Sequence, residues 1–189
     1  MSSERSSSCR ARRRCPPEAR PRKEIRVSES TDPDRAYGEG DATHQALGGV
    51  DAIRRLVEVF YEEMDTLPEA ATIRRLHPSD LEVSIDKLAR FLSGWTGGPK
   101  LYSEKYGPIK IPVFHQHLPV GEAERDAWLL CMERALGRLG YPDDLRAYLL
   151  RELFVPAERI RVRVAERERT KAAGGASGLT IGTATEQDR

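Results

Sequence analysis

"GGVDAIRRLVEVFYEEMDTLPEA", residues 48–70, decides the fold class. Val50, Ile53, Val57, Phe60, Tyr61 and Met64 recur at steps of three and four, the interval at which an α-helix returns to one face. The helix is expected to stop near Pro68, because proline disfavours helical backbone at the residue before it. The same period returns three times downstream. Leu81, Ile85, Leu88, Leu92 and Trp95 form a second stripe, with Ser79 or Asp80 as caps and Gly97-Gly98 as its end. Trp128, Met132, Ala135, Leu136 and Leu139 form a third, ending at Gly140. Leu145, Tyr148, Leu149 and Leu153 form a fourth, which Pro156 is expected to kink or end. Only "IKIPVF", residues 109–114, has any alternation, so the chain reads as an all-α domain of four principal helices.

Working outward, the periodic part spans about 43–165 of 189 residues, room for one domain with a real core. Residues 1–42 are rich in Arg, Ser and Pro and nearly free of large aliphatic side chains, a composition expected to stay disordered. Their basic cluster, Arg10, Arg12, Arg13, Arg14, Arg20, Arg22 and Lys23, has no interleaved aromatics and reads as a solvated tail rather than a nucleic-acid arm. Residues 166–189 turn to Gly, Ser and Thr and are expected to form a second disordered tail, with order fading after about Val164. A net charge of +1 supplies no global field for nucleic acid. Three cysteines, Cys9, Cys15 and Cys131, make no disulfide framework, and no apolar run reaches the roughly 18 residues of a membrane span. A cytoplasmic protein that binds neither membrane nor nucleic acid is the expectation.

Residues 97–121, between the second and third stripes, carry four Gly, four Pro, two Tyr and the pair His115 and His117. A connection this long in a small domain is usually functional or disordered, and Leu101, Ile109, Ile111, Val113 and Phe114 argue for order. Zinc needs two further ligands beyond a His-x-His pair, and Cys131 on an apolar helix is an ordinary buried hydrophobe. A haem needs one axial histidine, an apolar cleft between helices and a few polar groups aimed into it, and candidates for each are present. Taken singly, Tyr61 and Trp128 would be core residues with locally satisfied polar tips.

The stretch at 48–70, followed by "LHPSDL" (76–81), "FLSGWTGGPKLYSEKYG" (91–107) and "AERDAWLLCM" (123–132), resembles the group II truncated haemoglobins over nearly the whole core. The resemblance implies a truncated globin fold, in which two antiparallel helix pairs sandwich the haem and a long loop bears the proximal histidine. It implies haem b, iron protoporphyrin IX, as cofactor. Tyr61 matches the family's distal tyrosine, and Trp128 the tryptophan whose indole N–H points at bound ligand. Ser84 and Leu88 match positions facing the iron, Phe91 lines the pocket, and Tyr102 reaches a haem propionate. His77 stands where relatives usually carry an aromatic residue, as a distal hydrogen-bond donor or a sixth iron ligand.

Of the two histidines, His117 precedes Leu118-Pro119 as the proximal residue often does in relatives, but choosing it demands a two-residue deletion before Trp128. Counting forward from Gly98, or back thirteen positions from Trp128, places the iron ligand on His115 without a gap. The stretch between Tyr61 and His77 is about three residues longer than in many relatives, which suggests a loose corner. Phe114 stands where relatives often have a basic propionate partner, leaving Arg90, Lys100 and Lys110 as substitutes.

The function the resemblance implies is binding of O2 and other diatomic ligands such as NO and CO. Several donors near the ligand suit redox or detoxification chemistry, including weak peroxidase or NO-dioxygenase-like activity served by an unidentified reductase, better than bulk oxygen transport. The competing reading is a haem-based sensor or interaction protein that signals ligand state to a partner.

Overall fold

The stripe at 48–70 becomes helix α2 (Gly49–Thr66) in the computed structural model, which describes residues 36 to 176. Its buried set is wider than the stripe, because Leu56 and Val59 join Ile53, Val57, Phe60, Tyr61 and Met64, while Val50 is exposed. The cause is position, since α2 packs against helices on both sides, α4 (Glu82–Trp95) and α7 (Glu122–Arg138). The last helix, α8 (Asp143–Ala176), packs on α7. The result is two helix pairs, α2 with α4 and α7 with α8, joined along α2 and α7. Every described regular element is helical, as the periodicity requires.

The N-terminal turn α1 (Ala42–Ala46) explains the paired glycines at the end of α4. The His44 N–H donates to Thr96 O at 3.0 Å, drawing α1 onto that corner. Gly97 has φ of 96°, and a Cβ there would fall 1.8 Å from Gly40 O. A Cβ on Gly98 would lie 2.3 Å from His44 Nδ1. Neither position has room for a side chain, so the chain can turn out of α4 only with glycine.

Several boundaries differ from the sequence reading. The tail reading of 1–42 falls on residues 1–35, which lie outside the described residues, and on 36–42, which pack onto α8. Tyr37 donates to Asp144 at 3.0 Å and its ring lies 5.3 Å from that of Tyr148, because one aromatic side chain is enough to seat this short stretch. Helix α8 runs through Pro156 without ending and continues past Val164 to Ala176. The extension up to Ala173 is made mostly of good helix formers, with i,i+3 ion pairs from Arg163 to Glu166 at 3.7 Å and from Lys171 to Glu168 at 2.8 Å. The remainder of the second tail reading, 177–189, lies outside the described residues.

The expected long loop at 97–121 contains two short helices, α5 (Leu101–Tyr106) and α6 (Ile111–His115), so the "IKIPVF" alternation gives way to a helical turn. The segment between Tyr61 and His77 is likewise wound into a 3-10 turn, Pro68–Ala70, and helix α3 (Ala71–Arg75). The corner that follows is fastened rather than loose. Arg74 pairs with Asp65 and donates to Pro78 O at 2.9 Å and Ser79 O at 3.3 Å. Asp80 serves α4 by accepting from Glu82 N at 2.9 Å, whereas Ser79 contributes only its carbonyl.

Asp86 ties α4 to α5. Its carboxylate accepts from Tyr106 Oη at 2.7 Å, Lys105 Nζ at 2.9 Å and Arg90 Nε at 2.9 Å. Burial would raise its pKa, but the hydrogen bonds from Tyr106, Lys105 and Arg90 outweigh burial and hold the carboxyl well below the usual carboxylate range. A depressed folded value means the stabilisation is present above the unfolded carboxyl pKa of about 3.9 and is lost as pH falls below it. Asp86→Asn is therefore expected to lower the urea midpoint at pH 7 and to narrow the gap from the parent chain at pH 3. Equal differences at the two pH values would remove Asp86 as the fastener.

Candidate functional site

A cavity of about 420 Å³ lies where these helices fail to fill the space between the pairs. All eight residues singled out in the sequence line it: Tyr61 from α2, His77 from the corner after α3, Ser84, Leu88 and Phe91 from α4, Tyr102 from α5, His115 from α6 and Trp128 from α7. The wall is mostly aliphatic and aromatic, and the lining includes Ile73, Leu76, Leu118, Val120 and Leu153. A second, open depression of about 490 Å³ between α2, α7 and α8 is charged, and its Arg138 and Arg146 are already paired with Glu62, Glu63 and Asp143. It holds none of the residues singled out.

Helix α2 places Tyr61 where its ring meets Phe60 edge-on at 5.0 Å and His77 at 5.5 Å. Phe60 in turn lies 5.1 Å from Trp128, so one phenylalanine spaces the two polar aromatics. Tyr61 is 6% exposed. Burial pushes its pKa up to about 12, with a hydrogen bond to Ser84 and the charge of Arg74 pulling the other way. The phenol therefore keeps its proton throughout the physiological range and remains a donor.

The histidines differ in what each ring nitrogen can do. His115 Nδ1 lies 2.8 Å from Ile111 O, one turn back on α6. A carbonyl only accepts, so Nδ1 carries the proton and Nε2 of the neutral ring keeps its lone pair. His77 repeats this arrangement, with Nδ1 donating to Ile73 O at 2.8 Å. Burial lowers the His77 pKa, partly opposed by the bond to Ile73, and the Arg74 and His115 charges lower it further. With Nδ1 held on Ile73 O, a neutral His77 has Nε2 left as an acceptor or a metal ligand. His117 does not line the cavity, and its Nδ1 is hydrogen-bonded to Arg167.

Arg90, Lys100 and Lys110 do not reach the cavity wall, and Arg90 is spent on Asp86. The cations that line the cavity are Lys87 and Arg125, which the sequence reading missed, and Arg125 is also paired with Glu158 at 2.6 Å. Phe114 lines the cavity while remaining largely exposed. Also missed were Ala157 and Ile160 of α8, which continue the stripe of Leu153 at i+4 and i+7. Expecting the helix to stop at Pro156 hid that stripe.

The model of the bacterial-like globin family matches residues 42–160, which is most of the folded chain. The chain belongs to the bacterial-like globins. Its relatives are group II truncated hemoglobins. This globin is 31% identical over 120 residues to group 2 truncated hemoglobin YjbI of Bacillus subtilis, covering 64% of this chain and 88% of the relative. The group II 2-on-2 hemoglobin of Agrobacterium tumefaciens superposes with a TM-score of 0.61 at 38% identity, over 68% of this chain and 95% of that one. The truncated oxygen-avid haemoglobin from Bacillus subtilis gives 0.57 at 30% identity, over 62% and 97%.

Family membership makes this globin a haem-based ligand-binding protein, and the cavity fits such a group on its own terms. Among the described residues no three His, Cys, Asp or Glu side chains converge to hold a bare metal ion. The cavity instead combines apolar walls, two imidazoles, His77 and His115, each with Nδ1 held on a carbonyl, and the cations Lys87 and Arg125. A large apolar group that carries a metal for imidazole and carboxylates for the cations would fit that set. Among the described residues no helix is long and apolar enough to cross a membrane.

Proposed function

We propose that this globin holds haem b through His115 Nε2 and binds O2 and other diatomic ligands, NO and CO among them, for redox or detoxification chemistry rather than bulk transport. The observation that carries the reading is that His115, Tyr61 and Trp128 all line one cavity, with Nδ1 of the imidazole held on Ile111 O. The haem would supply reversible ligand binding and electron exchange at its iron. The protein supplies the rest.

Ile111 O, by taking the Nδ1 proton of His115, fixes the tautomer and makes Nε2 the basic nitrogen. Tyr61 and Trp128 are donors to a ligand that accumulates negative charge, the first because burial holds its proton and the second because indole only donates. His77, whose Nε2 is left free by the bond to Ile73, would compete with the ligand for the Tyr61 proton or serve as a second protein ligand to the iron. Lys87 would neutralise a propionate, while Arg125, already paired with Asp126 and Glu158, would reach one only by sharing its charge. Two fixed donors slow ligand release, which suits a protein that reacts with its ligand, including peroxide, more than one that hands it on. A cellular reductase would return the iron to the ferrous state. The decisive experiment is hemin titration of the purified chain and its histidine variants, taken up in the Discussion.

A further inference from the structure

Helix α6, which carries His115, is five residues long and leaves Val113 46% and Phe114 65% exposed. A helix this short does not sustain its own geometry, so its orientation comes from what it packs against. That neighbour is α8. Helix α8 continues beyond residue 160, where the family match ends. Val164 is buried there, and less than one turn later Arg167 reaches back to the segment just after His115.

Arg167 Nη1 donates to Gln116 O at 2.9 Å and is also hydrogen-bonded to His117 Nδ1. Guanidinium has no acceptor, so His117 Nδ1 accepts and the proton of the neutral ring is on Nε2. The two neighbouring histidines therefore hold opposite tautomers, His115 offering Nε2 to the cavity and His117 engaging the brace through Nδ1. Gln116 follows the last residue of α6, so its carbonyl lies at a helix end that has no partner of its own, and a cation there complements the helix dipole.

We infer that Arg167 is a positioning residue for the proximal imidazole, pinning Gln116 and His117 so that the ring of His115 keeps one orientation toward the iron. The inference rests on the reading of His115 as the iron's protein ligand. It gives His117 a role that needs no metal, and it makes the extension of α8 part of the haem site although Arg167 itself does not line the cavity.

The test uses the full chain loaded with hemin, in four variants: Arg167→Met, Arg167→Lys, Arg169→Met as an exposed control on the same helix, and His115→Ala. Two readouts are taken, hemin transfer to excess apomyoglobin and the iron–histidine stretching band of the ferrous protein by resonance Raman. Arg167→Met, which removes the charge-assisted bonds to Gln116 O and His117 Nδ1, is expected to release hemin roughly tenfold faster or more and to broaden or shift the band. Arg167→Lys should restore part of both, because lysine keeps the charge without the fork. Arg169→Met should match the parent chain. If Arg167→Met matches the parent in rate and band while His115→Ala abolishes the band, the brace is wrong and the proximal assignment stands. If His115→Ala keeps the band, the proximal assignment falls and the brace falls with it.

Discussion

His115→Ala is expected to abolish the iron–imidazole bond, whereas His117→Ala leaves it in place. Titrated with hemin, the parent chain and His117→Ala should take up one equivalent and develop the same sharp Soret band. His115→Ala should bind weakly or give the broad spectrum of hemin held without a protein ligand. The physical reason is that His115 lines the cavity with its Nδ1 held on Ile111 O, which leaves Nε2 for the iron, whereas His117 lies outside the lining and is turned onto Arg167. Apolar burial of the porphyrin persists in the variant, so some uptake does not contradict the assignment. The diagnostic loss is the axial bond. If His117→Ala alone loses it, the loop is out of register by two residues, and a parent chain that stays colourless with hemin ends the haem reading.

The second large effect concerns ligand release. Tyr61→Phe combined with Trp128→Phe is expected to accelerate O2 dissociation in stopped-flow mixing by about two orders of magnitude or more. A hydrogen bond to a charged acceptor is worth about 1.5–3 kcal/mol, and about 1.4 kcal/mol is a factor of ten. The single variants should not sum to the double one, because Phe60 lies against both rings and couples their positions. Carbon monoxide, which develops much less negative charge, should leave at nearly unchanged rates. Unchanged O2 rates in the double variant would sink the donor assignment and reopen bulk transport. His77→Phe belongs in the same experiment: removing an acceptor rather than a donor frees the Tyr61 hydroxyl and should slow O2 release or leave it alone.

How far the site was legible depended on the kind of constraint. Tyr61, Ser84, Leu88, Phe91 and Trp128 were singled out by the family resemblance, and they line one cavity because they stand on long helices, where period 3.6 fixes the facing of every side chain. His115 was chosen by counting from Gly98 and Trp128 within the family's pattern, and it too lines the cavity. Lys87 and Arg125 were missed because any solvated helix carries cations, and only burial tells which of them border a cavity. Arg90 illustrates the converse, a plausible partner already bound to Asp86 by a contact within its own helix.

The ends of the chain show the same division. Pro156 was expected to stop α8, yet the helix passes through it, because neighbours on α6 and α7 hold both sides of the break and the lost hydrogen bond costs less than abandoning that packing. The amino-acid sequence by itself determined the all-helical class and the central role of the stretch at 48–70, both consequences of periodicity, while the choice of His115 came from the family resemblance. Only the tertiary structure decided the hydrogen-bond partner of each ring nitrogen, the choice of cations at the cavity and the reach of Arg167 to the loop after His115. Those depend on which carbonyl or side chain lies within hydrogen-bonding distance, and residues far apart in the chain acquire such neighbours only when it folds.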